Sequence, residues 1–152
     1  MKIAILAVGR MRPGPEKLLF DDYVLRFDRS GRALGLGPAR LLEVEDRKNG
    51  GMAAEAALLA RALPPGSAVA ALDERGRTMT SPEFAETLAG WRDRGQQEVA
   101  FLIGGADGLA PDLRERADLL LSFGPMVWPH MLARVMLAEQ LYRAASILAG
   151  AP

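Results

Sequence analysis

The feature that most constrains this chain is a regular alternation of strand-length runs with longer segments of helical character. The predicted strands, mostly apolar and bounded by glycine, proline or charged residues, are residues 3–8, 40–45, 67–72, 98–103 and 118–123. The predicted helices are residues 16–29, 52–63, 81–94, 111–117 and 130–148. Alternation of this kind predicts an α/β fold, with a mainly parallel sheet flanked by helices.

Length and composition favour one domain that spans residues 1–152. Hydrophobic residues make up 49% of the chain and charged residues 25%, which is ordinary for a globular protein with its own core. The chain has no repeat and no low-complexity tract. No apolar run approaches the ~18 residues of a membrane span, and the N-terminal run is too short for a secretory signal.

Two classes of site are disfavoured by residue type. The chain has no cysteine, which excludes disulfides and thiolate metal sites, and its single histidine has no cluster of carboxylates nearby in sequence. A metal site is therefore not expected. The formal net charge is zero, so nucleic-acid binding would require a local basic patch. Candidate phosphate contacts are Arg10, Arg12 and the Arg47-Lys48 turn, although scattered surface charge is the plainer interpretation of each.

Three loops that follow predicted strands form the candidate ligand site. In open α/β sheets, ligands bind beyond the carboxyl ends of the strands, and the loops in question are residues 73–76, 104–108 and 123–128. Residues 73–80 are predicted to be loop throughout. Gly104 and Gly105 would let a ligand approach the main chain closely, or they would only turn the chain. The GGADG segment lacks the spacing of a dinucleotide signature, and the chain has no P-loop.

The last helix carries the titratable candidates. His130 stands at its start, where the helix dipole disfavours protonation, and either a chemical role or a capping role is open. Arg134 and Arg143 interrupt an otherwise apolar helix, so they require an anionic ligand or a carboxylate such as Glu139, unless they are solvated. The helix itself would be either a core helix or a homodimer seam. At the middle helix, Ser81 is predicted to be the N-cap.

Four segments together resemble a known family. They are AVGRM near the N-terminus, ALDERG at residues 71–76, FLIGGADGL at 101–109 and WPHMLARVMLAEQLYRAASI at 128–147. In this order they are similar to the small SPOUT-class methyltransferases that methylate the N3 nitrogen of a pseudouridine in large-subunit (23S) ribosomal RNA. The resemblance covers the whole chain. By contrast, no serine-histidine-aspartate order or paired-carboxylate spacing supports hydrolytic chemistry.

The resemblance implies a fold with a C-terminal trefoil knot, a homodimer and a cytoplasmic enzyme without a membrane segment. It implies S-adenosylmethionine as methyl donor and ribosomal RNA, in the large subunit or the assembled ribosome, as partner. The implied cofactor-binding residues are Leu72, Gly104, Phe123, Gly124, Pro125, Met126, Val127 and Trp128. These residues fall in or directly before the three strand-end loops chosen above on physical grounds.

For the chemistry, His130 is the candidate for proton transfer. Arg134 or Arg143 could stabilise negative charge on the nucleobase, and Arg134 is the residue chosen. A Tyr-His-Arg segment that usually follows the last helix in the family is absent from this sequence, which ends at Gly150-Ala151-Pro152. This absence leaves open a non-catalytic module that binds an adenosyl compound or nucleotide. A different α/β enzyme acting on a phosphorylated metabolite is the other alternative.

Overall fold

Five parallel strands form a single sheet in the computed structural model, which describes residues 1–151. The strand order is β2-β1-β4-β3-β5. The strands are β1 (Lys2–Val8), β2 (Ala39–Val44), β3 (Ala68–Thr78), β4 (Glu98–Ile103) and β5 (Leu119–Ser122). The helices are α1 (Pro15–Gly31), α2 (Met52–Ala62), α3 (Ser81–Asp93), α4 (Pro111–Arg116) and α5 (His130–Leu148), with a 3₁₀ turn at Arg32–Leu34. The predicted fold class is confirmed.

Helices cover both faces of the sheet, which explains why the central strands are continuously apolar. Ile3 and Ile5 of β1 face one layer, which includes the buried residues of α1, α3 and α5. Ala4 and Leu6 face the other layer, with buried residues of α2 and α4. No helix within residues 1–151 is both long and apolar enough to cross a membrane.

Strand β3 is longer than predicted. Residues 73–78, expected to be loop, continue the strand, and Arg77 and Thr78 pair with Leu121 and Ser122 of β5 after an irregularity that begins at Leu72. A Cβ at Gly76 would lie 2.5 Å from the carbonyl oxygen of Leu120, so only glycine permits this approach. The prediction failed because the segment is polar, and its strand geometry comes from pairing with a distant segment.

The cap of α3 and the end of α1 also differ from prediction. Thr80 is the N-cap of α3, and its hydroxyl accepts a hydrogen bond from the Glu83 amide at 3.2 Å. Ser81 instead donates to the side-chain oxygen of Gln140 in α5, at 2.7 Å. α1 continues to Gly31 and leads into the 3₁₀ turn, so residues 30–34 are not loop.

Candidate functional site

A cavity of about 550 Å³ lies beyond the ends of β4 and β5 and beside residues 72–74, in the middle of β3. The three segments chosen from the sequence all contribute to it, although the first is strand and not loop. Of the expected cofactor residues, its lining includes Leu72, Gly104, Phe123, Gly124, Met126, Val127 and Trp128. Pro125 lies in the same loop but is not among the lining residues. The volume is within the range of small-molecule sites in proteins.

The charged groups that face this cavity are acidic. Asp73, Glu74 and Asp107 line it, and the described lining includes no lysine or arginine. Asp73 is almost fully buried, and its carboxylate accepts a hydrogen bond from the Arg75 amide at 2.8 Å. Sequence reasoning missed Asp73 as a site residue, although its place directly after a buried run was a usable signal. A lining of this kind favours a polar ligand with a positive charge.

The glycines of the second loop shape the loop itself. A Cβ at Gly104 would lie 2.5 Å from the carbonyl carbon of Gly108 and 2.9 Å from the Leu109 nitrogen. The Gly108 amide donates to the Gly105 carbonyl at 3.0 Å, and Gly108 has a φ of +80°. Gly104 therefore lines the cavity and is also required for the loop to close on itself.

The third loop is attached to β3 through Ser122. The Ser122 hydroxyl accepts a hydrogen bond from the Gly124 amide at 3.0 Å and lies 3.2 Å from the Glu74 carbonyl oxygen. Beyond this anchor, Met126 is 71% and Val127 is 81% exposed. Ser122 gave no signal in the sequence, because its role depends on the unexpected length of β3.

His130 is the first residue of α5 and lines the cavity. Burial lowers the pKa of this imidazole, and the positive charge of Arg134 lowers it further. The N-cap of α5 is Pro129, and no side chain caps this end of the helix. A neutral imidazole therefore faces the cavity, and the capping role considered from the sequence is not what the structure shows.

Arg134 lies one turn further along α5, with no exposed surface, and outside the cavity lining. Its guanidinium donates to the carbonyls of Val8 and Gly9, at 2.7 and 2.8 Å, and to the Glu43 carboxylate at 2.8 Å. Burial lowers the pKa of Arg134, while the bond and charge of Glu43 oppose that shift. The partner of Arg134 is thus Glu43. Glu139, named from the sequence as a possible partner of either arginine, pairs with Arg143.

Comparison with known proteins decides the family. A family model described as "Predicted SPOUT methyltransferase" matches residues 1–152. The chain belongs to the SPOUT methyltransferase family. Two relatives named Ribosomal RNA large subunit methyltransferase H, from Ruegeria pomeroyi and Roseobacter denitrificans, are 68% and 70% identical to it. Each match covers 100% of this chain and 97% of the relative.

Solved structures agree at the level of the fold. A probable methyltransferase from Bordetella pertussis Tohama I superposes on this SPOUT protein with a TM-score of 0.52 and 18% identity. The match covers 94% of this chain and 95% of the other. With relatives named as methyltransferases at such high identity, the comparisons do not favour a non-catalytic binding module.

Proposed function

We propose that this SPOUT protein transfers a methyl group from S-adenosylmethionine to the N3 nitrogen of a pseudouridine in large-subunit ribosomal RNA. The observation that carries the proposal is a single cavity formed by the middle of β3 and the loops after β4 and β5, in a chain 68–70% identical to rRNA methyltransferases. An enzyme that acts on ribosomes works in the cytoplasm, and we place this chain there.

The residues at the cavity fit the donor. S-adenosylmethionine carries a sulfonium charge, and the described lining offers the carboxylates of Glu74 and Asp107. The third carboxylate, that of Asp73, already pairs with Arg75 and Arg114 at 3.8 Å each. The main chain around Gly104 and Gly124 offers amide and carbonyl groups that can bind the adenine edge. Leu72, Phe123 and residues 125–128 would enclose its apolar surfaces. A phosphorylated metabolite would lack the basic groups that it requires here.

His130 would remove the proton of the target nitrogen. Bound at this site, S-adenosylmethionine supplies an electrophilic methyl group, and a ring nitrogen must lose its proton before it can accept that group. The lowered pKa of His130 keeps its imidazole unprotonated near neutral pH, so a nitrogen of the imidazole can accept the proton from N3 of the pseudouridine. Because His130 lines the same cavity as the donor loops, the base and the methyl group would meet at one place.

Arg134 would act by positioning. Its terminal nitrogens already bind Val8, Gly9 and Glu43, and its side chain is fully buried. We therefore assign its contribution to fixing the first turn of α5, which carries His130, against the end of β1. Stabilisation of negative charge on the base would act only at a distance through this buried guanidinium.

A homodimer and a trefoil knot complete the proposal. Large apolar side chains are exposed on α1 and near the start of α5, among them Leu18, Leu25 and Leu132. A second cavity, of about 540 Å³, lies between α1, the start of α3 and α5. Such surfaces favour burial against a second copy of the chain. The knot would involve the segment from β5 to α5, whose loop carries residues 123–128.

Two measurements test the proposed function. Calorimetry should show one S-adenosylmethionine bound per chain. Ribosomes from a strain that lacks this modification should then gain a methyl group, and mass spectrometry of digested rRNA should identify it as N3-methylpseudouridine. Donor binding with no methyl transfer to ribosomes or ribosomal subunits would overturn the assignment of the substrate, and absence of donor binding would overturn the whole proposal.

A further inference from the structure

A third cavity, a cleft of about 610 Å³, opens beside the donor cavity at the ends of β1 and β2. Its lining combines the exposed arginines Arg10, Arg12 and Arg47 with four carboxylates, those of Glu45, Asp46, Glu55 and Asp107. Arg47 pairs with Glu45 at 3.7 Å, in an ion pair that is exposed. Asp107 lines both the cleft and the donor cavity, so the two are neighbours. The methyl-transfer chemistry described above uses no residue of this cleft other than Asp107.

The loop that carries Arg10 and Arg12 is held in place by hydrogen bonds to the side chains of Arg134 and Glu43. The Gly9 carbonyl accepts from buried Arg134, and the Met11 amide donates to Glu43 at 2.6 Å. Met11 is itself buried in the core. Arg10 and Arg12 flank this anchored residue, are exposed, and form none of the ion pairs found within residues 1–151. Their main chain is thus preorganised, while their guanidinium groups are available to a ligand.

On the acidic side of the cleft, the Glu55 carboxylate has no hydrogen-bond or ion-pair partner among the described residues, whereas Asp46 accepts from the Gly51 amide and Glu45 pairs with Arg47. Glu55, in the first turn of α2, lies against the main chain of Gly105, where a Cβ would be 3.0 Å from its carboxylate oxygen. Among the hydrogen bonds of residues 1–151, none reaches the Glu55 side chain. Burial raises the pKa of Glu55, and the carboxylates of Asp46 and Asp107 raise it further. A ligand that donates hydrogen bonds would reduce the repulsion among these neighbouring carboxylates.

We propose that this cleft binds a nucleotide of the RNA next to the reacting base, with phosphate on Arg10, Arg12 and Arg47 and the amino edge of its base on Glu55. The proposal rests on the proposed function. The cleft's carboxylates would repel a free phosphate or polyphosphate. A nucleotide instead presents anionic oxygens at one end, for the arginines, and amino donors at the other, for the carboxylates. The class of base is therefore one with an exocyclic amino group: adenine, cytosine or guanine.

The test compares three variants in ribosome methylation over a series of salt concentrations. The double variant Arg10→Ala/Arg12→Ala should raise KM for ribosomes at least tenfold, leave kcat within about twofold, and lower the salt slope by about two. Glu55→Gln should raise the same KM about tenfold with little change in slope, because a base contact releases no counterion. The matched control Arg61→Ala, an exposed arginine at the other end of α2, should behave as wild type.

Calorimetry and thermal melting of each variant separate the outcomes. All variants should bind S-adenosylmethionine with wild-type affinity and melt as the wild type does. If the double variant matches Arg61→Ala, the phosphate contacts are wrong, and if Glu55→Gln weakens donor binding instead, the base contact is wrong. Should the wild type fail to methylate ribosomes, the proposed function fails, and cosedimentation of the same variants with ribosomes still decides whether the cleft binds RNA.

Discussion

The Arg134 guanidinium and the Glu43 carboxylate lie 2.8 Å apart, although 91 positions separate them in the sequence. Arg134 has no exposed surface, whereas the Glu43 side chain is 28% exposed. The pair joins the first turn of α5 to the carboxyl end of β2, and the same guanidinium binds two carbonyls at the end of β1. One side chain thus joins α5, whose first residue lines the donor cavity, to the ends of β1 and β2, where the cleft with the arginines opens.

Loss of this pair should destabilise the fold. Arg134→Met removes the cation paired with Glu43, which keeps only the Met11 amide as donor, and leaves the carbonyls of Val8 and Gly9 without the guanidinium. We expect the free energy of unfolding to fall by about 3–5 kcal/mol. Arg143→Met, which removes an exposed pair with Glu139, should cost less than about 1 kcal/mol. Urea unfolding followed by circular dichroism measures both, and equal losses would contradict the buried role of Arg134.

Removal of the proposed base should slow methyl transfer without weakening donor binding. We expect His130→Gln to lower the single-turnover rate by about 10²–10⁴-fold, because the group proposed to accept the imide proton is then lost. The dissociation constant for S-adenosylmethionine should change by less than about threefold. In the wild type, the rate should rise with pH and become constant above a pKa lower than 6.5. A wild-type rate in the variant would remove His130 from the mechanism.

The same shift predicts how stability depends on pH. Because the pKa of His130 is lowered in the folded chain, the unfolded chain binds a proton more readily when the pH drops below about 6.5. Protonation of His130 in the unfolded chain therefore lowers the free energy of unfolding as the pH falls from 7 to 5. In His130→Gln this part of the decrease should be absent. Identical pH profiles for wild type and variant would show that burial does not perturb the imidazole.

Filling the cavity should prevent donor binding. Ala133, half-buried in the first turn of α5, lines the cavity, and Ala133→Phe would place a ring in that space. We expect calorimetry to show at least a hundredfold loss of affinity for S-adenosylmethionine. Ala57→Phe, at an exposed position of α2, is the control and should bind normally. Gly104→Val is a poorer test, because its side chain would disrupt the loop before it met any ligand.

Exposed apolar surface predicts the state of assembly. Light scattering should give a mass near twice the 16.4 kDa of one chain. Leu132→Glu, at an exposed position in the first turn of α5, should shift the protein toward the monomer, because a charge cannot be buried unpaired in an apolar seam. Arg61→Glu, a change of similar size on α2, should leave the mass unchanged. A monomeric wild type would contradict the proposed homodimer.

The order of strands and helices could be determined from the sequence alone. β4 and α5 were predicted at their observed bounds, Glu98–Ile103 and His130–Leu148, because an apolar run between turn signals and a helix start are local patterns. The loops after β4 and β5 were identified for the same reason, since parallel strands place their carboxyl ends at one edge. Residues 73–76 were predicted to be a third such loop but belong to β3, of which Asp73 and Glu74 line the cavity. Arg10, Arg12 and Arg47 were also identified as candidate cations.

Tertiary structure alone decided which distant residues meet. The extension of β3 to Thr78 depends on pairing with β5, and no pattern within residues 73–78 carries that information. From the sequence, Glu139 was a possible partner of both Arg134 and Arg143; it pairs with Arg143, whereas the partner of Arg134 lies on β2. Desolvation makes a buried guanidinium require several acceptors at once, and only the packed strand ends supply them. Asp73 and Ser122 likewise acquired their roles only when the sheet closed around the cavity.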